Sequence, residues 1–262
     1  MTVGPGLHHV ELVMGTAVSI DILDSDDPSL VDELVAWFHA VDAVFSPHRD
    51  DSAVSRLGRG DVADALAVAG DLTADVLEVM HACSELRGLT NGVFDPWAVD
   101  APSGGRFDPS GYVKGWSVER AVQLLERRGP RRFMINAGGD IAVRGDGADG
   151  SPWRIGIRHP HEVAALAATV ALHGPGAIAT SGSYERGVHV VDPRDGLPAN
   201  AVASATVIGP SLALADAFAT TLFVMGLDGL GWLTLQEGYS GCIITHDLQM
   251  LSTDAFDAHL VA

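Results

Sequence analysis

Two cysteines, Cys83 and Cys242, are all that 262 residues provide. They are too few and too far apart for a disulfide framework or a cysteine-based zinc site, and the plain expectation is two reduced thiols in a cytosolic protein. The N-terminal stretch MTVGPGLHHVELVMG has no basic segment leading into an apolar one, and no cysteine for lipid attachment. Charge or glycine interrupts every apolar run well short of the roughly 20 residues that a membrane-spanning helix needs. The sequence therefore predicts a soluble, cytoplasmic chain with no membrane insertion. Positive charge is also scarce, with 16 Lys+Arg against 34 Asp+Glu and a net charge of −18. That balance excludes a nucleic-acid binder, whose affinity comes from basic side chains neutralising phosphates, and a surface that docks on anionic lipid. One anionic ligand can still be held in a local pocket, above all if a divalent cation bridges it.

What is present is a chain built to bury a core. Hydrophobic residues make up 47% and the mean hydropathy is +0.20, which excludes disorder. The stretch Val10–Leu23 alternates around Met14-Gly15-Thr16 and reads as strand, tight turn, strand. An amphipathic helix follows over Ser29–Phe45 with Ser29 as N-cap, then a polar loop Ser46–Ser55 and a second helix Thr73–Gly88. Asn91-Gly92 is a turn, and Asp95–Gly115 is rich enough in Pro, Gly, Ser and Asp to read as a surface loop. Lys114–Arg128 is helical, with Arg127 and Arg128 near its C-terminus. Arg132–Arg144 reads as strand, glycine turn, strand. Further strands are expected at Trp153–Arg158, Thr169–Leu172, Ala177–Thr180, Val188–Val191 and Ser204–Ile208. A strongly apolar helix spans Leu212–Met225, and a hairpin Gly241–Ser252. With no internal repeat, low-complexity tract or linker, this predicts a single α+β domain over residues 1–262, core about 10–255, its strands paired mainly by hairpins.

Four segments carry residues suited to chemistry. In LALADAFATTL, Asp216 and Thr220 are four apart and share one helix face. Together they offer two oxygen ligands to a hard cation such as Mg²⁺. Equally, Asp216 could cap a neighbouring loop while Thr220 bonds back to its own helix. A buried carboxylate needs a partner, and this helix supplies no basic one. Gly138-Gly139-Asp140 either lets backbone approach a ligand closely or simply closes a hairpin. Lys114, read at the start of its helix, either meets phosphate or faces solvent. The densest segment is Ala179–Pro198. It brings hydroxyls (Thr180, Ser181, Ser183), charges (Glu185, Arg186) and His189 on a strand-like run ending in Asp192-Pro193, which is also the first half of a turn closed by Asp195-Gly196.

Taken in order, the blocks Met14-Gly15-Thr16, FSPHRDDSAVSRL, NGVFDP, FDPSGYVKGWSVERA, INAGGDIAV, ATSGSYERGVHVVDPRDGLP and LADAFATTLFVMG resemble the ApbE-type FAD:protein FMN transferases. The resemblance runs from about residue 10 to the C-terminal region. It implies a T-fold-related α+β domain with mainly antiparallel sheet and packed helices. It also implies a Mg²⁺-dependent enzyme that cleaves FAD, attaches FMN by a phosphoester bond to a Thr or Ser of an acceptor protein, and releases AMP. By motif, the metal would be held by Asp216, Thr220 and the main-chain carbonyl of Gly111. FAD would contact Met14, His48, Val93, Phe94, Asp95, Asp108, Lys114 and the backbone near Val191. His189 and Asp216 would be the catalytic residues, His189 as general base or orienting group. Family members generally carry an aromatic residue where His48 stands.

One departure from the pattern is plain. Between FDPWAV and FDPSGYVKG the family usually has a few dozen residues, and here about ten connect the motifs. That shortening bears on the adenine side of the ligand rather than on the metal. Two further readings share the same residues: an FAD pyrophosphatase giving FMN and AMP, with water as acceptor, and a non-catalytic FAD-binding protein. The charge of −18 fits the cation in either catalytic case, since a diphosphate would otherwise meet a repulsive field relieved mainly by Lys114.

Overall fold

Two short hairpins set one end of the molecule, and the computed structural model, which describes residues 6–98, 105–182 and 190–261, shows both. Strands β1 (Leu7–Val13) and β2 (Thr16–Ile22) pair antiparallel across Met14-Gly15. Both turn residues have positive φ (54° and 68°), as the twist of a two-residue hairpin demands. Strands β3 (Phe133–Ala137) and β4 (Asp140–Arg144) pair across Gly138-Gly139. The two turns are neighbours: a Cβ on Gly138 would stand 2.3 Å from Thr16 Oγ1, so only glycine fits there.

The sheet grows from this start in the order β1-β2-β3-β4-β7-β8-β9-β10, with β7 at Gly176–Gly182, β8 at Ser204–Gly209, β9 at Ser240–Ile244 and β10 at Met250–Ser252. Every pairing is antiparallel. A three-stranded sheet of β5 (Trp153–Arg158), β6 (Leu166–Leu172) and β11 (Leu260–Val261) covers part of one face. Helices cover the other: α1 (Ser29–Phe45), α2 (Ala53–Gly58), α3 (Val62–Ala69), α4 (Thr73–Leu89), α5 (Ser110–Arg128), α6 (Leu212–Met225) and α7 (Leu227–Leu233), while the short α8 (Asp254–Asp257), beside β9, packs its Phe256 on the small-sheet side.

The period-2 pattern of the central strands sorts side chains between two cores. Ala142, Ala177, Ala179, Ala205 and Val207 face the helices, and their small size lets α6 lie close to the sheet. Ile141, Val143, Ile178, Ile208 and Ile244 point the other way, onto Ile155, Ile157, Val170 and Leu172 of the small sheet and Phe256. With both faces covered, these strands read as continuous apolar runs rather than alternating ones. β1, by contrast, leaves Val10 and Leu12 exposed. Helix α6 lies between sheet and α5 and is buried nearly all round.

Several boundaries differ from expectation, each for a local reason. The cap of α1 is not Ser29: the Ser29 N–H donates to Asp27 Oδ1 at 3.0 Å, while its hydroxyl accepts from Arg128. The loop after α1 ends in a helix the sequence pattern did not declare, α2, whose N-cap Ser52 accepts from Ser55 N–H at 3.0 Å. Helix α5 starts at Ser110 rather than Lys114, because Asp108 Oδ1 takes the Ser110 N–H ahead of the first apolar residue. The segment before it is no simple surface loop either, since Val93, Phe94 and Phe107 are buried. Gly105 packs there against the backbone of Gly58, and Arg106 N–H donates to the Gly58 carbonyl. Of the strand expected at Val188–Val191, residues 188 and 189 lie outside the described residues, and Val191 makes one isolated bridge to Pro198.

Cys83 on α4 and Cys242 on β9 are free and buried, and desolvation pushes both thiols up to about 12. Only the thiolate is nucleophilic, so both are silent at neutral and mildly alkaline pH. A thiol titration with a disulfide reagent at pH 8 is expected to find none reactive in the native protein and two after denaturation. A reactive thiol in the native state would contradict this packing.

Candidate cation and phosphate site

Helix α6 and the N-terminal turns of α5 lie side by side, and their contact needs glycine. A Cβ on Gly115 would stand 2.5 Å from the Leu212 carbonyl oxygen and 3.0 Å from Asp216 Cβ. The near end of α6 is tied to α5 by Glu119, whose Oε2 accepts from Ser211 Oγ at 2.6 Å and Ala213 N–H at 3.2 Å. This clamping puts Asp216 against the α5 backbone. Its side chain is buried, and Oδ2 accepts the Gly115 N–H at 3.1 Å. In a regular helix that N–H bonds the carbonyl four residues back, which here is Gly111. Asp216 therefore competes for the donor, and the Gly111 carbonyl keeps capacity for another partner.

One turn along α6, Thr220 Oγ1 lies 3.2 Å from Ser181 Oγ on β7. A Cβ on Gly111 would approach Thr220 Oγ1 to 3.6 Å and the Phe94 ring to 3.3 Å. Asp216, Thr220, Ser181 and Gly111 thus surround one end of a cleft. Lys114 enters from the α5 wall, its ammonium 2.5 Å from Oδ2 of Asp140. Asp140 opens β4, is fully buried, and accepts the Thr180 N–H on Oδ1 at 3.2 Å. The rest of the wall is Val93, Phe94, Asp95, Asp108, Val190, Val191 and their neighbours.

The cleft therefore gathers most of the residues the sequence singled out: Val93, Phe94, Asp95, Asp108, Gly111, Lys114, Val191, Asp216 and Thr220. Two of the carboxylates already have work within the protein. Asp95 pairs with Arg87 Nε at 2.7 Å and accepts the Trp97 N–H, and Asp108 anchors the start of α5. Met14 and His48 are not part of the cleft lining. Met14 occupies the β1–β2 turn with its sulfur 3.7 Å from Ser117 Oγ on α5, and His48 is exposed on the loop between α1 and α2. His189 lies outside the described residues. The Asp192-Pro193 segment is indeed a turn, with the Gly196 N–H on the Asp192 carbonyl at 2.9 Å. Arg194 grips the Asp192 carboxylate, which holds it below the usual carboxylate range. Sequence reasoning gave no role to Ser181, Gly115 or Asp140. Ser181 and Asp140 stood inside motifs already quoted, but only the fold brings β4 and β7 against α5 and α6.

A wider groove lies on the other side of α5, lined by Leu86, Leu89, Tyr112, Trp116 and Leu214. Its carboxylates are engaged, Glu78 with Arg120 and Trp116, and Glu119 with the start of α6. None of the residues assigned above to the metal, to FAD or to catalysis lines it.

The donor set in the cleft is a carboxylate, two hydroxyls and a main-chain carbonyl. All are hard oxygen ligands of the kind that suit Mg²⁺ or Ca²⁺ rather than a softer metal. Among the described residues no cluster of three His, Cys, Asp or Glu forms a metal cage. Fold and cleft together define an α+β protein with an oxygen-lined site suited to a hard cation beside a lysine. Residues 14–101 and 98–243 match the model of the ApbE family, and the chain belongs to that family. A Vibrio cholerae relative named FAD:protein FMN transferase is 28% identical over 269 residues, spanning 81% of this chain and 79% of that protein. A Rhodobacter capsulatus protein of the same name is 36% identical over 166 residues, covering 60% of this chain and 31% of the relative. Among solved structures, an ApbE protein of Thermotoga maritima superposes with a TM-score of 0.80 at 21% identity, covering 98% of this chain and 100% of that one. That likeness establishes the shared fold.

Proposed function

We propose that this protein is an FAD:protein FMN transferase that uses Mg²⁺, held by Asp216, Thr220 and the Gly111 carbonyl. The observation that carries the reading is the convergence of those three groups and Ser181 beside Lys114 in one cleft of an ApbE-family chain. When bound, the cation supplies Lewis-acid stabilisation of charge on diphosphate oxygens. The chain's own residues do the rest. Asp216 and Thr220 fix the position of that charge, Lys114 adds the one ammonium in the cleft, and Val93, Phe94 and Val191 offer apolar wall to the flavin half. The acceptor's Thr or Ser hydroxyl oxygen bonds to the phosphorus of the FMN half. The bond from that phosphorus to the bridging oxygen breaks and AMP departs. The hydroxyl proton leaves to a base, a role we assign to His189. The acceptor protein and a cytoplasmic site of action belong to the same proposal; among the described residues no helix is long and apolar enough to cross a membrane.

The test is incubation with FAD, MgCl₂ and an acceptor protein bearing a Thr or Ser flavinylation segment, read by in-gel flavin fluorescence and intact mass. The expected result is a gain of one FMN on the acceptor with equimolar AMP, both abolished by a chelator. FMN and AMP without acceptor labelling would replace transfer by hydrolysis, and no AMP at all would remove the enzyme reading.

A further inference from the structure

Along α6, Asp216, Thr220 and Val224 stand four residues apart, so they share one face, and all three line the cleft. Val190, Val191 and Pro193 line it too, and they belong to a short hairpin. In that hairpin the Ala199 N–H donates to the Val190 carbonyl at 2.9 Å, and the Asp192 N–H to the Leu197 carbonyl at 2.8 Å. A two-stranded hairpin is marginal on its own in water, so its position depends on what ties it down. Arg194 supplies a tie. Its Nε donates to Asp192 Oδ1 at 2.8 Å, and its Nη2 donates both to Oδ2 at 2.6 Å and to the Val224 carbonyl at 3.3 Å. That carbonyl lies in the last turn of α6, where carbonyls lack partners within the helix and a cation is favoured. Helix α6 has no basic residue of its own there. The planar guanidinium fork reaches carboxylate and carbonyl together, which a point charge does not. The chain leaving the hairpin also packs on this helix end, since a Cβ on Gly226 would stand 2.9 Å from Ala201 Cβ.

We infer that Arg194 is a positioning residue: by spanning Asp192 and the Val224 carbonyl, it sets the 190–193 wall in place relative to the α6 face that carries Asp216 and Thr220. This rests on the reading of the cleft as the FAD site, with Val191 on the flavin half. Arg194 is outside the cleft lining and its side chain is 57% exposed, so it acts through the wall rather than by touching the ligand. An exposed ion pair adds little to overall stability. Loss of Arg194 therefore displaces the hairpin without loosening the fold, and the cation ligands on α6 stay where they are.

The test compares ligands that do and do not use the wall, in wild type, Arg194→Met and Asp192→Asn without acceptor protein. FAD binding in MgCl₂ is read from flavin fluorescence on mixing, ADP binding by competition with FAD, and Mn²⁺ binding from the free-ion EPR signal. Arg194→Met is expected to weaken FAD by at least about tenfold, the scale of a lost charge-assisted hydrogen bond, and to leave ADP and Mn²⁺ within about twofold of wild type. Asp192→Asn keeps an oxygen for the Arg194 N–H but loses the charge that the guanidinium grips. It is expected to show the same selective loss at smaller size, and it decides the matter should Arg194→Met not fold. Equal weakening of FAD and ADP would mean that Arg194 serves the diphosphate directly, and would overturn the inference. So would unaltered FAD binding, or a parallel loss of all three ligands with a lowered melting temperature, which is what a merely structural role produces. Failure of the underlying reading looks different, because wild type then binds no FAD. In that event the crystal structure of Arg194→Met still tests the positioning role: residues 190–193 are expected to shift away from Val224, and an unmoved hairpin would refute it.

Discussion

Replacing Asp216 by Ala is expected to cut FMN transfer by at least about a hundredfold while leaving the protein folded. The size follows from the charge it removes, since metal stabilisation of a developing oxyanion is worth several kcal/mol and each 1.36 kcal/mol is about a factor of ten in rate. Retention of the fold follows from its surroundings. Helix α6 carries no basic residue, so no ion pair within the helix is lost with the Asp216 carboxylate. Alanine is the strongest helix former, and the Gly115 N–H regains the Gly111 carbonyl one turn back as its acceptor. Thermal unfolding is therefore expected to move by no more than about 2–4 °C, the equivalent of ~1 kcal/mol in a chain of this size. Asp216→Asn separates charge from shape. It keeps the volume and an oxygen but not the negative charge, and is expected to be nearly as inactive as alanine. Acceptor labelling with FAD and graded MgCl₂ checks both variants, and full Mg²⁺-dependent activity in either would mean that the cation sits elsewhere.

Sequence reasoning reached furthest where a local pattern alone decides the structure. Ser29–Phe45, Trp153–Arg158 and Leu212–Met225 have the bounds that their apolar periodicity and flanking turn residues predict. The hairpins around Gly15 and Gly138 follow from glycines placed where φ must be positive. It fell short where a distant partner sets a boundary. Asp108 starts α5 ahead of the first apolar residue, and Phe107 is buried among residues that looked like a surface loop because Trp97 stacks on it. The helices α3 and α7 are only eight and seven residues long and Ala- or Gly-rich, too short for their periodicity to stand out from the flanking turns.

The site divides in the same way. Asp216 and Thr220 share a helix face by spacing alone, so the pair was visible in sequence. That spacing could not say whether Thr220 bonds back to its own helix or looks outward, and the hydroxyl of Ser181 on β7 gives the outward answer. Asp140 could not be distinguished from a hairpin residue, because its partner Lys114 stands on a different element and meets it only once the sheet has packed against α5. His48 stands apart from these: it is exposed on the loop between α1 and α2, outside the cleft lining, and a histidine there offers less stacking area than the aromatic residue the family usually has.

Gly115→Ala is expected to damage stability and activity together, although alanine is intrinsically the better helix residue by about 1 kcal/mol. The added methyl would meet the Leu212 carbonyl oxygen at 2.5 Å and Asp216 Cβ at 3.0 Å, atoms of a backbone and a side-chain root that cannot swing aside. Relief requires α5 and α6 to part, and overpacking of this kind costs ~1–3 kcal/mol in a dense core. The melting temperature should then fall by roughly 2–4 °C for each kcal/mol. Parting the helices also pulls the Gly115 N–H from Asp216 and draws Gly111 away from Thr220, so the oxygen ligands no longer converge. A displacement near 1 Å at a reacting centre can lower a rate by about a hundredfold. The activity loss should accordingly exceed what the fraction of unfolded protein explains, and a higher Mg²⁺ concentration should be needed for half-maximal rate. Gly88→Ala on α4 is the control, since a Cβ there meets nothing within 4 Å and gains helix propensity without a clash. It is expected to melt at or slightly above the wild-type temperature and to transfer FMN normally. If Gly115→Ala behaved like that control, the close approach of α5 and α6 would not be what shapes the site.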